Sequence, residues 1–280
     1  MGKLNDLLKR SVSGLIFVGL VTASIFLGRW YFGALFLAVT LYSCYEFKKM
    51  LTHLSIRLCT PTLLTSAGLL FISGFLHTEY HILWGYVLTL LSTFVIMLVE
   101  LYRKRLHAIH NVGLAIFALF YIAAPFTMLL YFPSVRSSWD QDAWRPITVF
   151  MPFIVVWLND TFAYLCGMTF GKHKLFERLS PKKTWEGAIG GGLIAIAGGA
   201  LVSHLFAPDN IIHATVVSLI VVVFGNLGDL FESMIKRTIE IKDSGHFMPG
   251  HGGILDRMDS LLFAIPAVFI YLVIVYLVLV

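Results

Sequence analysis

The residues best suited to chemistry gather near the C-terminal end, in the run NLGDLFESMIKRTIEIKDSGHFMPGHGGILDRMD. Asn226, Asp229, Ser233 and Lys236 follow one another at helical intervals, which aligns them along one face. Beyond a turn built from Pro249, Gly250, Gly252 and Gly253, Asp256 and Asp259 recur one helical turn apart and face a common side. Three acids in one place would repel each other. Asp229, Asp256 and Asp259 offer hard oxygen ligands of the kind magnesium takes, and a cation that relieves the repulsion also neutralises phosphate oxygens. Lys236, Arg237 and Arg257 stand among them as candidate clamps for an anionic substrate. Glu232, four residues before Lys236, is explained as well by a local salt bridge. His251 sits between glycines, where contacting phosphate, shuttling a proton and merely occupying a loop are equally open to it. A charged helix border meeting lipid headgroups is the plain alternative, but it does not account for so many acids interrupting an apolar chain.

Two upstream segments carry a second set. Asp160 lies inside the apolar run FIVVWLNDTFAYLCGMTFG, where an ionisable group is costly unless it faces protein, water or a cation. A structural polar contact between helices is the other reading of it. Lys172 follows at the end of that run, and then Ser180, Lys182, Lys183 and Thr184 directly precede a glycine-rich helix start. Free amides at a helix N-terminus and lysine point charges both favour phosphate oxygens. Thr184 is equally suited to being that helix's N-cap. The GxxxxGK[ST] arrangement of a P-loop is absent.

Membrane helices must position these groups. Of the 280 residues 58% are hydrophobic and only 13% charged, with a mean hydropathy of +0.82. A soluble domain carries about 25% charged residues, so an ordinary globular enzyme and a disordered chain are both excluded. Apolar stretches at 11–27, 30–47, 59–76, 81–99, 111–132, 146–166, 187–206, 211–231 and 260–280 predict an all-α, polytopic membrane protein of about nine transmembrane helices. Placing the N-terminus in the cytoplasm puts all of the 21 basic residues except Arg29, Arg136 and Arg145 on that side, which orients the C-terminus outward. The first apolar run follows a basic flank without a cleavage signal and reads as a retained helix. Residues 1–280 form a single membrane domain, with N-terminal helices over 1–145 and catalytic helices and cytoplasmic loops over 146–280.

The net charge of +5 fits cytoplasmic loops beside anionic lipid, and with no long basic stripe or soluble fold it does not indicate nucleic acid. Cys44, Cys59 and Cys166 lack paired spacing, so no disulfide framework or cysteine metal site is suggested. Trp139 and Trp144, in the outer loop 133–145, read as interfacial belt residues. Gly187, Gly190, Gly191, Gly192, Gly198 and Gly199 give one span a small-residue surface, which suits either a homodimer or packing within one chain.

These residues resemble the phosphatidate cytidylyltransferase family, also called CDP-diacylglycerol synthases. The match runs through Ser233, Lys236, Arg237, Lys242, Asp243, Ser244, Pro249, Gly250, His251, Gly252, Gly253, Asp256, Arg257 and Asp259, with the SPKKTWEG and Asp160-to-Lys172 blocks upstream. The resemblance is strong from about 150 to 260 and mainly topological before that. It implies transfer of a cytidylyl group from CTP to membrane phosphatidate, giving CDP-diacylglycerol and pyrophosphate. It implies magnesium at Asp229, Asp256 and Asp259, with potassium as a candidate companion ion. It assigns catalysis to these acids and Lys236, and substrate binding to Asp160, Lys172, Ser180, Lys182, Lys183, Thr184, Arg237, His251 and Arg257. The implied setting is a bacterial inner membrane, with the catalytic loops facing the cytoplasm. A secondary transporter, a CTP-dependent lipid kinase and a structural lipid-binding protein are the competing readings. Against the transporter stand the absence of matching broken segments in the two halves and the crowding of polar residues at one face.

Overall fold

A computed structural model of the chain describes residues 2–104, 107–133, 144–206, 211–245, 247 and 252–279. Its helices follow the apolar stretches: α1 (Gly2–Leu27), α2 (Arg29–Leu51), α3 (Thr60–Tyr80), α4 (Trp84–Arg103), α5 (Ala108–Ala118), α6 (Ala124–Leu129), α7 (Pro146–Phe170), α8 (Trp185–Phe206), α9 (Ile211–Thr238) and α10 (Leu255–Leu279). A π turn over Leu119–Ala123 joins α5 and α6 into one rod. Pro125, at the start of α6, has no amide to give the preceding turn, and the widened turn absorbs the mismatch. Among the described residues seven helices are long and apolar enough to cross a membrane. The protein is therefore an all-α, multi-pass membrane protein. Outside those seven stand α1, which includes the apolar stretch Val12–Leu27, and α2, which carries Arg29, Glu46, Lys48 and Lys49.

Aromatic packing ties the two halves of the chain together. Phe36 of α2 meets Phe126 of α6 at 5.7 Å and Phe153 of α7 at 5.6 Å, edge to face, in a core where all three are fully buried. Trp144 is more than a belt residue: its indole donates to the Ile25 carbonyl at 2.8 Å, and its ring lies 5.5 Å from Phe32. It anchors the start of α7 to the α1–α2 hairpin. Trp139 lies outside the described residues.

The glycines of α8 are used within the chain. A side chain on Gly191 would collide with the backbone of Ala163 on α7, and one on Gly199 would collide with Ser218 on α9. Small residues let α7, α8 and α9 approach closely where lipid gives no hydrophobic drive to associate. Asn159, buried on α7, adds a polar tie by donating to Asn226 Oδ1 on α9 at 3.4 Å.

The segment between α7 and α8 is more ordered than a loop. It forms a short antiparallel hairpin, β1 (Lys174–Phe176) with β2 (Ser180–Thr184), in which Lys174 faces Thr184 and Phe176 faces Ser180. The hairpin, the α9–α10 loop and the C-terminal part of α2 all meet at one end of the bundle. That end holds the polar residues singled out by the sequence.

Candidate active site

The hairpin is held at its base by Glu186, in the first turn of α8. This carboxylate accepts the Lys172 amide at 3.1 Å, the His173 amide at 3.2 Å and His173 Nδ1 at 2.6 Å. Thr184 Oγ1 accepts the Gly187 amide at 3.2 Å, so the threonine caps α8. Glu186 and Thr184 thus fix the strand that lies between them and the tip. Lys182 and Lys183 on β2 are consequently presented toward α9.

There Lys183 Nζ forms an ion pair with Asp229 Oδ2, while Ser233 donates to Asp229 Oδ1 at 3.4 Å. The stripe expected along α9 is real, since Ser233 reaches back one turn to Asp229. A cavity of about 560 Å³ opens between α7, the hairpin and α9. Its walls include Asp160, Lys174, Lys182, Lys183, Thr184, Asn226 and Asp229, together with Tyr164 and Met168 of α7. The volume lies within the roughly 300–1,000 Å³ typical of small-molecule sites. Tyr164 and Met168 are exposed, so the α7 wall of the cavity reaches the surface of the protein.

A second polar group lies where α9 ends and α10 begins. Lys236 Nζ meets Asp256 Oδ1 at 2.8 Å and Glu232 Oε2 at 3.4 Å. Asp256 Oδ2 accepts the Ser244 amide at 2.9 Å and the Gly253 amide at 2.8 Å. Asp256 therefore closes the α9–α10 loop onto the helix start. Asp259 has Asp229, Glu232 and Asp160 as electrostatic neighbours, which links the second group to the cavity. Glu232 is fully buried, with Lys236 3.4 Å from Oε2 and Asp259 beside it, so the acids of this cluster outnumber its lysine. Such a surplus of negative charge is what a bound cation offsets. Among the described residues, however, no group of three or more His, Cys, Asp or Glu side chains is arranged to hold a metal ion. Asp256, with both oxygens engaged, is the member of the expected trio least able to contribute.

Of the residues expected at the site, Asp160, Lys182, Lys183, Thr184 and Asp229 share the cavity, while Lys236, Asp256 and Asp259 form the adjoining cluster. Arg257 is exposed but within electrostatic reach of Asp160. Lys172, Ser180 and Arg237 do not line the cavity; Lys172 serves the hairpin base through its amide, and Arg237 points its guanidinium at the Ile241 carbonyl at 3.5 Å. His251 lies outside the described residues. The sequence reading left Lys174, a cavity wall, out of the site and missed Glu46 of α2, which accepts the Leu255 amide at 2.9 Å. Lys174 was hidden because a basic cluster at a helix end has a sufficient explanation in topology.

The chain has counterparts among known sequences. Residues 8–275 match the model of the family described as "Cytidylyltransferase family". The chain belongs to the cytidylyltransferase family. Within that family it is 38% identical over 187 residues to the phosphatidate cytidylyltransferase of Bacillus subtilis, covering 65% of this chain and 67% of that one. It is 47% identical over 127 residues to the enzyme of that name from Staphylococcus saprophyticus, covering 45% and 48% of the two chains. With the Brucella abortus protein of the same name it shares 44% over 124 residues, covering 44% and 46%. The aligned stretches thus span about half to two thirds of these relatives. Membership of the cytidylyltransferase family makes the chain an enzyme of the nucleotidyltransferase class.

Proposed function

We propose that this cytidylyltransferase joins CTP to phosphatidate, releasing pyrophosphate and forming CDP-diacylglycerol for phospholipid synthesis. The observation that carries this reading is the cavity itself, which is lined by lysines and acids and bounded by the exposed Tyr164 and Met168, past which we infer that it opens to lipid. A water-soluble triphosphate and a membrane-held phosphate monoester need such a double opening. The nucleophile is a phosphatidate oxygen that is already anionic, and the electrophile is the CTP alpha phosphorus. The bond between the alpha and beta phosphates breaks, and its electron pair leaves with pyrophosphate. A strong general base is unnecessary; the chain's task is to neutralise and align anions.

Lys174, Lys182 and Lys183 are the groups placed to draw the triphosphate into the cavity, with Asp229 holding Lys183 in position. Asp160 faces the same space and fixes the orientation of these lysines or of Arg257. In this reading Ser180 and His251 contribute to nucleotide binding, Lys172 acts through the hairpin base, and Arg237 adds positive charge for the substrate phosphates. Magnesium, with potassium as a candidate companion, completes the reading: Asp229 and Asp259 would hold it, and it would supply charge neutralisation on the triphosphate. Asp256 serves instead to fix the loop that carries its neighbours.

The reading also places nine spans in a bacterial inner membrane, with residues 146–280 supplying the catalytic helices and the hairpin and α9–α10 loop facing the cytoplasm, where CTP is found. Cysteines introduced at Glu177 and Lys242, after Cys59 and Cys166 are changed to Ser, should both be shielded from a membrane-impermeant thiol reagent in intact cells and both label once the membrane is permeabilised. Labelling from opposite sides would overturn the orientation. For the activity, purified protein given phosphatidate, CTP and magnesium should release pyrophosphate and form CDP-diacylglycerol. No turnover in lipid conditions that support a related enzyme would count against the reaction.

A further inference from the structure

Glu46 lies on α2, far in sequence from the residues of the cavity, and is only 2% exposed. A buried carboxylate is costly unless hydrogen bonds compensate it. Its bonds go to the backbone of the α9–α10 connection. Oε2 accepts the Leu255 amide at 2.9 Å, and the Ile254 amide and the Ser244 hydroxyl face the same carboxylate. On the opposite flank Asp256 accepts the Ser244 and Gly253 amides. The two acids therefore divide the amides at the start of α10, which a helix leaves without internal partners and whose dipole favours negative charge.

The backbone is shaped around this grip. A side chain on Gly253 would sit 2.5 and 2.6 Å from the two Glu46 oxygens, and one on Gly245 would strike Oε1. Gly252, at φ +84°, would strike Asp256 if it carried a side chain. A second contact joins the same elements, because the rings of Tyr42 on α2 and Phe247 in the loop lie 4.7 Å apart. The chain thus closes the loop onto α2 with a buried acid and an aromatic pair.

We propose that Glu46 is a positioning residue for the cytidylyl transfer: it holds the α9–α10 loop and the first turn of α10 against α2, setting where Arg257 and Asp259 stand beside the cavity. The inference rests on the reaction proposed above, and it makes the N-terminal half a working part of the site. Glu46 acts through these residues and touches no substrate.

The test uses the full chain in lipid nanodiscs containing phosphatidate, as wild type, E46Q, E46D and F247A. A displacement of about 1 Å near the chemistry costs up to about 100-fold. E46Q should therefore lower kcat by about 10- to 100-fold while KM for CTP stays within about threefold, since the lysine hairpin is untouched. E46D, which keeps the charge, should recover part of the loss. Trypsin cleavage after the exposed Lys242 should accelerate in E46Q and F247A. Wild-type kcat together with wild-type protection of Lys242 in E46Q would overturn the proposal, as would a rise in KM alone. If E46Q yields no folded protein, F247A decides: faster cleavage and a several-fold lower kcat support it, and wild-type behaviour in both overturns it. Inactive wild-type protein would sink the reaction reading instead, and the cleavage comparison would still report on Glu46.

Discussion

Asp229→Asn is expected to lower turnover by about 10²- to 10³-fold, the range seen when one preorganised electrostatic group is removed from an active site, while the protein still folds. Asp229 is the acid that faces the cavity and Lys183 at once, so neutralising it removes charge where the triphosphate must be aligned. Its pair with Lys183 is about one-quarter exposed on each side, and ion pairs that water can reach contribute little to stability. The melting temperature in detergent should therefore shift little. Both kcat and kcat/KM for CTP should fall together, the signature of an interaction made in the transition state. An increase in KM with kcat unchanged would reassign Asp229 to uniform nucleotide binding.

Asp256→Asn is expected to do damage of a different kind, with a large loss of turnover accompanied by a loss of stability. Asp256 meets Lys236 at 2.8 Å in a site where the two side chains are only 6% and 12% exposed, and it also receives two loop amides. Removing one charge from a buried pair costs about 3–5 kcal/mol, and the lower end is expected here because Glu232 still faces Lys236 at 3.4 Å. The α9–α10 loop loses its clasp in the same step. Thermal unfolding and turnover measured on one preparation separate the cases: Asp229→Asn should affect turnover alone, Asp256→Asn both. A variant at Asp256 with full stability and no activity would instead make that carboxylate a direct participant in the chemistry.

What the sequence revealed was set by how locally each feature is encoded. Apolar runs of about 20 residues announce membrane helices with no help from neighbours, and the helices follow those runs closely. The alignment of Asp229 with Ser233 follows from helical periodicity alone. Features that depend on distant partners were not legible. Glu46 next to Lys48 and Lys49 looks like an ordinary charged helix end, and only the tertiary fold brings it to Leu255. Asp256 shares its residue type and spacing with Asp259, yet the fold gives Asp256 two loop amides and a close lysine, while Asp259 accepts the Ser260 amide and stands among Asp229, Glu232, Asp160 and Lys236. Spacing showed that they share a helix face without showing that they differ in role.

Glycine in α8 teaches the same lesson in reverse. Small residues report only that some backbone approaches closely; the partner turned out to be α7 and α9 of the same chain. The support these glycines lent to a homodimer is thereby removed. The β hairpin was likewise invisible to pattern reading, because strands of three and five residues carry too few alternations to register. Its strands nevertheless determine which way Lys182 and Lys183 point.

The most direct measurement of the central claim follows the phosphates of CTP separately. Purified protein in phosphatidate-containing nanodiscs with magnesium is given CTP labelled at the alpha phosphorus, and in a parallel reaction CTP labelled at the gamma phosphorus. Alpha label should appear in a lipid that comigrates with CDP-diacylglycerol, while gamma label should be released as pyrophosphate. Gamma label in the lipid with CDP as the nucleotide product, or no transfer of either label, would contradict the claim.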